Sequence, residues 1–218
     1  MQCPDRATLS DEYLSDLKAL QQGLPERFRP TLDYLISKLP GLFNSSWPLV
    51  PNHTDLLENN IHVCRDTGRL AGICDWKDTT IGPFGVSLGG LETMLGIASM
   101  KEAWIYHANQ QELRDLFWGA FYNAMGTVSE EQKELIEVAR LVGLFLDNGL
   151  DRIDDQTKVP TTSEGHGLRY LEAVTLKLWA QTGMVGLDSS VWQGFNQVEK
   201  GIYHVGRTDG ASVSNVHG

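Results

Sequence analysis

The sequence predicts a mainly α-helical fold with one small β-hairpin. Two observations favour helices: apolar residues recur at intervals of three and four in several segments, and capping residues precede some of them. One observation favours the hairpin, since two short apolar segments, 61–64 and 70–74, flank the turn-forming residues Asp66 and Gly68. With 218 residues and 41% hydrophobic content, the chain is long enough to bury a core.

Two helices are predicted before the hairpin. Ser10 is expected to cap the first, which is expected to stop at Gly23, and the second is expected to end at Pro40-Gly41. Residues 44–52 contain two prolines and are predicted to be a loop that leads into a short extended segment. The apolar residues at helical spacing in the two helices are Tyr13, Leu14, Leu17, Leu20, Leu32, Leu35, Ile36 and Leu39.

Three further helices are predicted after a glycine-rich stretch at residues 82–90. One lies around 91–98 and one roughly at 109–124. The best marked begins after Ser129, which can form a capping box with Gln132, and ends before Gly149. Its apolar positions predict a helix of the core: Leu135, Val138, Leu141, Val142 and Phe145.

The C-terminal part begins with a polar connection that leads to a predicted helix from about Leu168 to Ala180. Another helix is expected near Val191 to Lys200. Residues after Tyr203 show no hydrophobic period and are predicted to form a flexible tail. The expected organisation is therefore one domain at 1–203 followed by a tail at 204–218.

Charge and composition bear on the partners, the location and the state of the cysteines. The formal net charge is −10, and residues 101–150 carry eight acidic residues against four basic ones, which argues against a nucleic-acid or anionic-membrane partner. The N-terminus lacks the apolar run of a signal peptide, and no stretch approaches the ~20 apolar residues of a membrane helix, so a cytoplasmic location is expected. Cys3, Cys64 and Cys74 are an odd number, which predicts reduced, buried thiols.

One polar loop carries the residues on which a functional hypothesis depends. His53, Asp55 and Asn60 lie in this loop, and Asp75 follows the second strand of the predicted hairpin. Phosphoryl transfer from ATP needs a carboxylate near the acceptor hydroxyl and oxygen ligands for magnesium. In kinases the carboxylate and the Asn five residues later share one loop, and a second Asp after the following hairpin holds the metal. The spacing of these residues therefore predicts a phosphotransferase.

The segment LVPNHTDLLENNIHVCRDTGRLAGICDWKDTTIGPFG, residues 49–85, resembles the catalytic segment of the aminoglycoside phosphotransferase and choline kinase-like family. That family's motif is a His-x-Asp loop ending in Asn, then a hairpin, then Ile-Asp-Trp or a similar sequence. Residues 73–76, Ile-Cys-Asp-Trp, and 81–85, Ile-Gly-Pro-Phe-Gly, match it and differ from protein kinases, in which Phe-Gly follows the metal-binding Asp. The resemblance implies a protein-kinase-like C-terminal lobe over most of the chain.

The same resemblance implies roles for the matching residues. Asp55 would be the catalytic base or the carboxylate that orients the hydroxyl, with His53 beside it in the catalytic loop, and Asn60 and Asp75 would hold magnesium. ATP and magnesium are the implied cofactors, and a small molecule with a hydroxyl group, which could be cationic, is the implied acceptor. This sequence departs from the bacterial antibiotic kinases at three places that bear on the acceptor: Thr54, residues 57–59 (Leu-Glu-Asn), and Ser87 where an acidic residue is common.

The family's N-terminal lobe has no counterpart in the sequence. Only ~50 residues precede the catalytic loop, and they contain no Gly-x-Gly-x-x-Gly and no strand lysine. The N-terminal lobe is therefore expected to be absent, with weak or no turnover by this chain alone and with self-association or a partner lobe to cover the exposed surface. The alternative is a non-catalytic binding or interaction module derived from a kinase-like lobe.

Two other groups of residues have competing interpretations. His62, Cys64 and Cys74 could be zinc ligands, but the absence of a fourth candidate favours strand residues on a half-buried sheet. Acidic residues between Glu102 and Glu137 could form a cation-binding surface for an amine acceptor, but solvated helix faces are the favoured interpretation.

Overall fold

The computed structural model describes residues 4–99, 104–154, 157–161 and 166–177. All of them belong to one unit of the chain, residues 1–183, and a second unit comprises residues 184–218. The helix expected near 191–200, the tail at 204–218 and the end of the helix expected at 168–180 lie outside the described residues. The described part is mainly helical with small antiparallel sheets, as predicted.

The N-terminal segment forms two helices, α1 (Arg6–Gly23) and α2 (Arg29–Leu42), joined by a 3-10 turn at Glu26–Phe28. The prediction that Ser10 caps α1 is wrong. The cap lies five residues earlier, at Asp5, whose carboxylate accepts a hydrogen bond from the Thr8 main-chain nitrogen at 2.9 Å. Helix α2 continues past Pro40 to Leu42, so its predicted end is two residues early.

The core is formed where α1 and α2 pack against α5 (Glu130–Asn148). The predicted capping box of α5 is present, with both the Ser129 and Gln132 side chains bonded to the main chain. Phe28 and Phe145 meet edge to face with ring centroids 5.9 Å apart. The buried apolar side chains of these three helices include Leu17, Leu20, Leu32, Leu35, Leu39, Val138, Leu141, Val142 and Phe145.

Four antiparallel strand pairs join the helices of the described part. The predicted hairpin is confirmed as one of them, with Ile61 opposite Ile73. The other three pairs are not predicted from the sequence, because their strands are two to four residues long and too short to show an alternating pattern. The pairs are β1 (Leu49–Asn52) with β4 (Thr80–Pro83), β2 (Ile61–Val63) with β3 (Leu70–Ile73), β5 (Gly96–Ile97) with β6 (Ile105–Tyr106), and β7 (Leu150–Arg152) with β8 (Lys158–Pro160).

The remaining helices differ in how well they match the prediction. Helix α4 (Gln110–Met125) agrees with it, whereas α3 (Gly90–Met94) is shorter than predicted because the chain turns into strand β5. Helix α6 (His166–Leu171) continues as a π-helical turn at Glu172–Lys177.

A buried group of charges links α3, α4 and α5. The Glu92 carboxylate lies 2.8 Å from Nη2 of Arg114 and 3.5 Å from Nη1 of Arg140, and all three side chains are almost fully buried. Tyr106 donates its hydroxyl to the same carboxylate at 3.3 Å. Since an unpaired charge is costly in a protein interior, these ion pairs fix the relative position of the three helices.

Two further findings concern the length of the helices and the exposure of the cysteines in the described residues. None of their helices combines the length and apolar character needed to cross a membrane. Cys64 and Cys74 are free, as predicted, but both are exposed, so the prediction of buried thiols is wrong for these two. They flank the hairpin strands at positions that the core does not cover.

Candidate active site

The loop after β1 brings Asp55 and Asn60 together. A 3-10 turn at Glu58–Asn60 folds the chain back, with the Asn60 main-chain nitrogen bonded to the oxygen of Leu57 at 3.0 Å. The Asn60 side-chain amide then donates to the main-chain oxygen of Asp55 at 2.8 Å and to its carboxylate oxygen Oδ2 at 3.1 Å. Asn60 is buried whereas Asp55 is exposed, so a fixed amide holds an accessible carboxylate.

His53 connects this loop to the segment that carries Asp75. Its Nδ1 accepts a hydrogen bond from the main-chain nitrogen of Asp55 at 3.1 Å, so Nε2 carries the proton and donates to the main-chain oxygen of Cys74 at 2.7 Å. The Trp76 ring packs edge-on against the imidazole with centroids 4.9 Å apart. Both ring nitrogens are therefore occupied by the main chain, and the geometry gives His53 a positioning role.

Asp75 follows β3 in an uncommon backbone conformation. Its φ of 60° is left-handed, and it is the one non-glycine residue with positive φ among the described residues. The neighbouring Cys74 donates its main-chain nitrogen to the oxygen of Asn60 at 3.0 Å, which extends the pairing of the hairpin up to the site. Within the described part of the chain the exposed Asp75 carboxylate has no hydrogen bond and no ion pair. It is therefore free to bind a cation.

Asn52 is a supporting residue that the sequence analysis did not single out. Its buried side chain donates to the main-chain oxygens of Val50 and Pro83, and its Oδ1 accepts from the hydroxyl of Ser87 at 3.0 Å. These bonds tie β1 and β4 to the turn that follows them, and so fix the start of the loop. Ser87 occupies a position at which the family that the sequence resembles commonly has an acidic residue. Here its hydroxyl forms a hydrogen bond that supports the structure. Asn52 lies one residue before His53 in the sequence, and this position is the signal that could have identified it.

Asp147, on the last turn of α5, adds a negative charge to the same region. Burial raises the pKa of Asp147 to about 6, the positive charge of Lys158 lowers it, and the Asp55 carboxylate raises it. Asp147 is nevertheless exposed to solvent. The apolar positions of α5 predict only a core helix, and no sequence pattern relates residue 147 to residue 55, which lies 92 positions earlier.

The alternative metal set of the sequence analysis is only partly brought together. His62 Nε2 lies 3.3 Å from Cys74 Sγ. Cys64 lies near the hairpin turn, where its main-chain nitrogen bonds to Arg69, at the opposite end of the strands. All three side chains are exposed, and the described residues contain no group of three or more His, Cys, Asp or Glu side chains suited to a metal. The expectation of a half-buried sheet at these positions is therefore wrong.

The acidic residues of α4 and the start of α5 are exposed at four positions: Glu112, Asp115, Glu130 and Glu131. This agrees with the favoured interpretation of solvated helix faces.

The donor set fits magnesium. Asn60 Oδ1 has no partner among the described residues other than the weak thiol donor of Cys74 at 3.8 Å, and the Asp75 carboxylate is unpaired. An amide oxygen and a carboxylate are hard oxygen ligands of the kind that magnesium prefers. Asn60 and Asp75 are therefore the residues that would hold the ion.

Comparison with known proteins gave one match. A family model described as the phosphotransferase enzyme family matches residues 4–118, just over half of the chain. The match includes helices α1 and α2, the whole candidate site and the first half of α4. Neither the curated proteins nor the solved structures gave a match.

Proposed function

Because this chain belongs to the phosphotransferase enzyme family, we propose that it transfers the γ-phosphoryl group of ATP to a hydroxyl group of a small molecule, and that its fold is a protein-kinase-like C-terminal lobe. The observation that carries the proposal is the pairing of Asn60 with Asp55, since the amide that would bind magnesium lies beside an accessible carboxylate. Phosphoryl transfer requires a protein to position the reacting groups and to neutralise the charge on the phosphates.

The two oxygens of the Asp55 carboxylate have different surroundings. Asn60 occupies Oδ2, whereas Oδ1 has no partner among the described residues. Oδ1 is therefore the atom that would accept the hydrogen bond of the acceptor hydroxyl and orient it for attack. His53 fixes the main chain on which this carboxylate is mounted, through the bond from the Asp55 nitrogen to Nδ1.

Asn60 and Asp75 would share the magnesium ion, which when bound neutralises charge on the phosphate oxygens of ATP. The hairpin sets the distance between these two ligands. Asn60 directly precedes β2 and Asp75 is the second residue after β3, and the bond between Cys74 and Asn60 aligns the two strand ends. The positive φ of Asp75 turns the chain out of the strand at this point.

The first test is thermal unfolding with and without Mg-ATP for the wild type, Asp75→Asn and Asp78→Asn. Ligand at 100 times its dissociation constant stabilises the folded state by about 2.7 kcal/mol, which raises Tm by a few degrees. We expect this shift in the wild type and in Asp78→Asn, a matched exposed acid three residues downstream, but not in Asp75→Asn. An Asp55→Asn variant should keep the shift and lose any phosphoryl transfer that the wild type shows. The absence of a shift in the wild type would contradict the proposal.

A second candidate function, a binding or interaction module without catalysis, is supported by one observation. Three apolar side chains of the hairpin region are widely exposed: Val63 at 58%, Leu70 at 62% and Trp76 at 47%. Exposed apolar groups in one region are typical of surfaces that bind a partner. In this case Mg-ATP would give no shift, and Asp55→Asn would leave binding of the partner unchanged.

A further inference from the structure

Two side-chain atoms that can bind a metal lie close to the thiol of Cys74, beside the hairpin. His62 Nε2 is 3.3 Å from Cys74 Sγ, and Cys74 Sγ is 3.8 Å from Asn60 Oδ1. Asn60 ends the 3-10 turn before β2 and His62 is the second residue of β2, and the side chains of both approach Sγ of Cys74. Cys74 lies opposite Asn60 on the other strand, as the hydrogen bond between their main chains shows.

The two distances match those between ligands of a tetrahedral zinc ion. With Zn–S of about 2.3 Å and Zn–N or Zn–O of about 2.0–2.2 Å, two ligand atoms of one zinc ion lie about 3.6 Å apart. The distances in the hairpin, 3.3 Å and 3.8 Å, fall on either side of this value. Each of the two distances to Cys74 Sγ is therefore compatible with a pair of ligands of one ion.

The surroundings leave all three atoms available. The Asn60 amide nitrogen donates to Asp55, which directs Oδ1 towards the thiol of Cys74. The His62 and Cys74 side chains are exposed, so an ion can reach them from solvent and a water molecule can complete the coordination. Cys64 is not part of this group, because four residues of extended strand, about 13 Å, separate it from Asn60.

The ligand types select the ion. A thiolate and an imidazole bind zinc far better than magnesium, which prefers oxygen ligands. When the ion binds, the S–H bond of Cys74 breaks, the sulfur donates its electron pair to the metal, and the proton leaves to solvent. No oxidant or further reactant is needed.

We propose that Asn60, His62 and Cys74 form a site for a thiophilic divalent cation of the zinc type, and that this ion inhibits by taking Asn60 from magnesium. The inhibition rests on the proposed function, because Asn60 would be a ligand of both ions. The thiol site itself does not depend on that function. Bound zinc would thus prevent magnesium from binding to Asn60.

The thiol site is tested by titrating the reduced full chain with Co²⁺, which absorbs in the near ultraviolet when a thiolate binds it. We expect the wild type to develop this absorption with one equivalent of Co²⁺ and to lose it when Zn²⁺ is added. Cys74→Ser should abolish the absorption, and His62→Gln should weaken Co²⁺ binding on the order of tenfold. Cys64→Ser and Cys3→Ser are the matched controls and should behave as the wild type. Circular dichroism without metal checks that each variant is folded.

The inhibition is tested in the same proteins by Mn²⁺ binding, measured by electron paramagnetic resonance, with Mn²⁺ in place of magnesium. Zn²⁺ should displace Mn²⁺ from the wild type and leave it bound to Cys74→Ser. A thiolate absorption that is absent in the wild type, persists in Cys74→Ser or disappears in Cys64→Ser overturns the thiol site. Equal displacement of Mn²⁺ from both proteins overturns the inhibition. Failure of the wild type to bind Mn²⁺ contradicts the proposed function and the inhibition, while the Co²⁺ titration still decides the thiol site.

Discussion

The side-chain amide of Asn60 donates to two atoms of Asp55, the main-chain oxygen at 2.8 Å and the carboxylate oxygen Oδ2 at 3.1 Å. The first bond closes the loop and the second orients the carboxylate. One buried side chain therefore determines both the shape of the loop and the direction of its charged group.

Replacing Asn60 should for this reason affect stability as well as ligand binding. We expect Asn60→Ala to lower the free energy of unfolding by about 1–3 kcal/mol, because the loop loses its internal hydrogen bonds. It should also abolish the Mg-ATP shift. Urea denaturation measures the first effect, and Asn59→Ala, which truncates the exposed neighbouring asparagine, is the control. Equal stability of the two variants would contradict the role given to the amide.

The buried carboxylate of Glu92 should be among the most sensitive positions of the fold. Glu92→Gln leaves the guanidinium groups of Arg114 and Arg140 without their shared counter-charge, at a cost of about 3 kcal/mol or more. Chemical denaturation followed by circular dichroism gives this value. The matched exposed change, Glu112→Gln on α4, should stay within about 0.5 kcal/mol of the wild type. A loss in Glu92→Gln as small as that would show that the cluster is not stabilising.

Two glycines inside helices should respond to alanine in opposite directions. A Cβ atom on Gly143 of α5 would lie 2.1 Å from the main-chain oxygen of Val86, so Gly143→Ala should destabilise by about 1–3 kcal/mol. Gly119 of α4 has open space around it, so Gly119→Ala should stabilise by about 0.5–1 kcal/mol through helix propensity alone. Thermal unfolding of the two variants provides the comparison. Stabilisation by both substitutions would show that α5 and the turn at residues 86–89 lie further apart than this.

Asp147 predicts a specific dependence of stability on pH. Its folded pKa of about 6 lies above the usual aspartate value of 3.8, so the folded state binds more protons between these values and stability falls as pH rises through this window. Asp147→Asn removes this fall, and the variant should exceed the wild type at pH 7 by about 1 kcal/mol or less, since solvent screens an exposed group. Near pH 3 the two should be equal.

Urea unfolding of the wild type and Asp147→Asn at several pH values measures this difference. Asp151→Asn is a matched control because Asp151 lies in exposed strand β7 and carries the same charge. If the difference in unfolding free energy between the wild type and Asp147→Asn grew as pH fell, it would contradict a raised pKa of Asp147.

The structural features that could be predicted from the sequence are those that depend on a few adjacent residues. The capping box of Ser129 and Gln132 needs only the first turn of α5, and the hairpin at 61–74 needs only two apolar segments and a turn. The incorrect prediction of the α1 cap also arose from a signal of a few adjacent residues. Both Asp5 and Ser10 are capping types, and the choice of Asp5 extends the helix by a turn that includes the buried Leu9.

Relationships between distant segments were not visible in the sequence. The pairing of Leu49 with Pro83, the bond from Ser87 to Asn52 and the effect of Asp55 on Asp147 all depend on how the chain returns to the same place. Residue types predict which groups can form such contacts but do not select among them. For the same reason the sequence left zinc binding by three hairpin residues open as a disfavoured alternative, whereas the register of the strands separates Cys64 from the other two.

The residues of the candidate site, from Asn52 to Asp75, occupy 24 consecutive positions. Most of the hydrogen bonds that shape the site join residues within this segment, so forming it closes only short loops, and the entropic cost of loop closure is low. Segments of low contact order form early during folding and can open and close as a cooperative unit. Hydrogen exchange in this segment should therefore follow a single opening free energy.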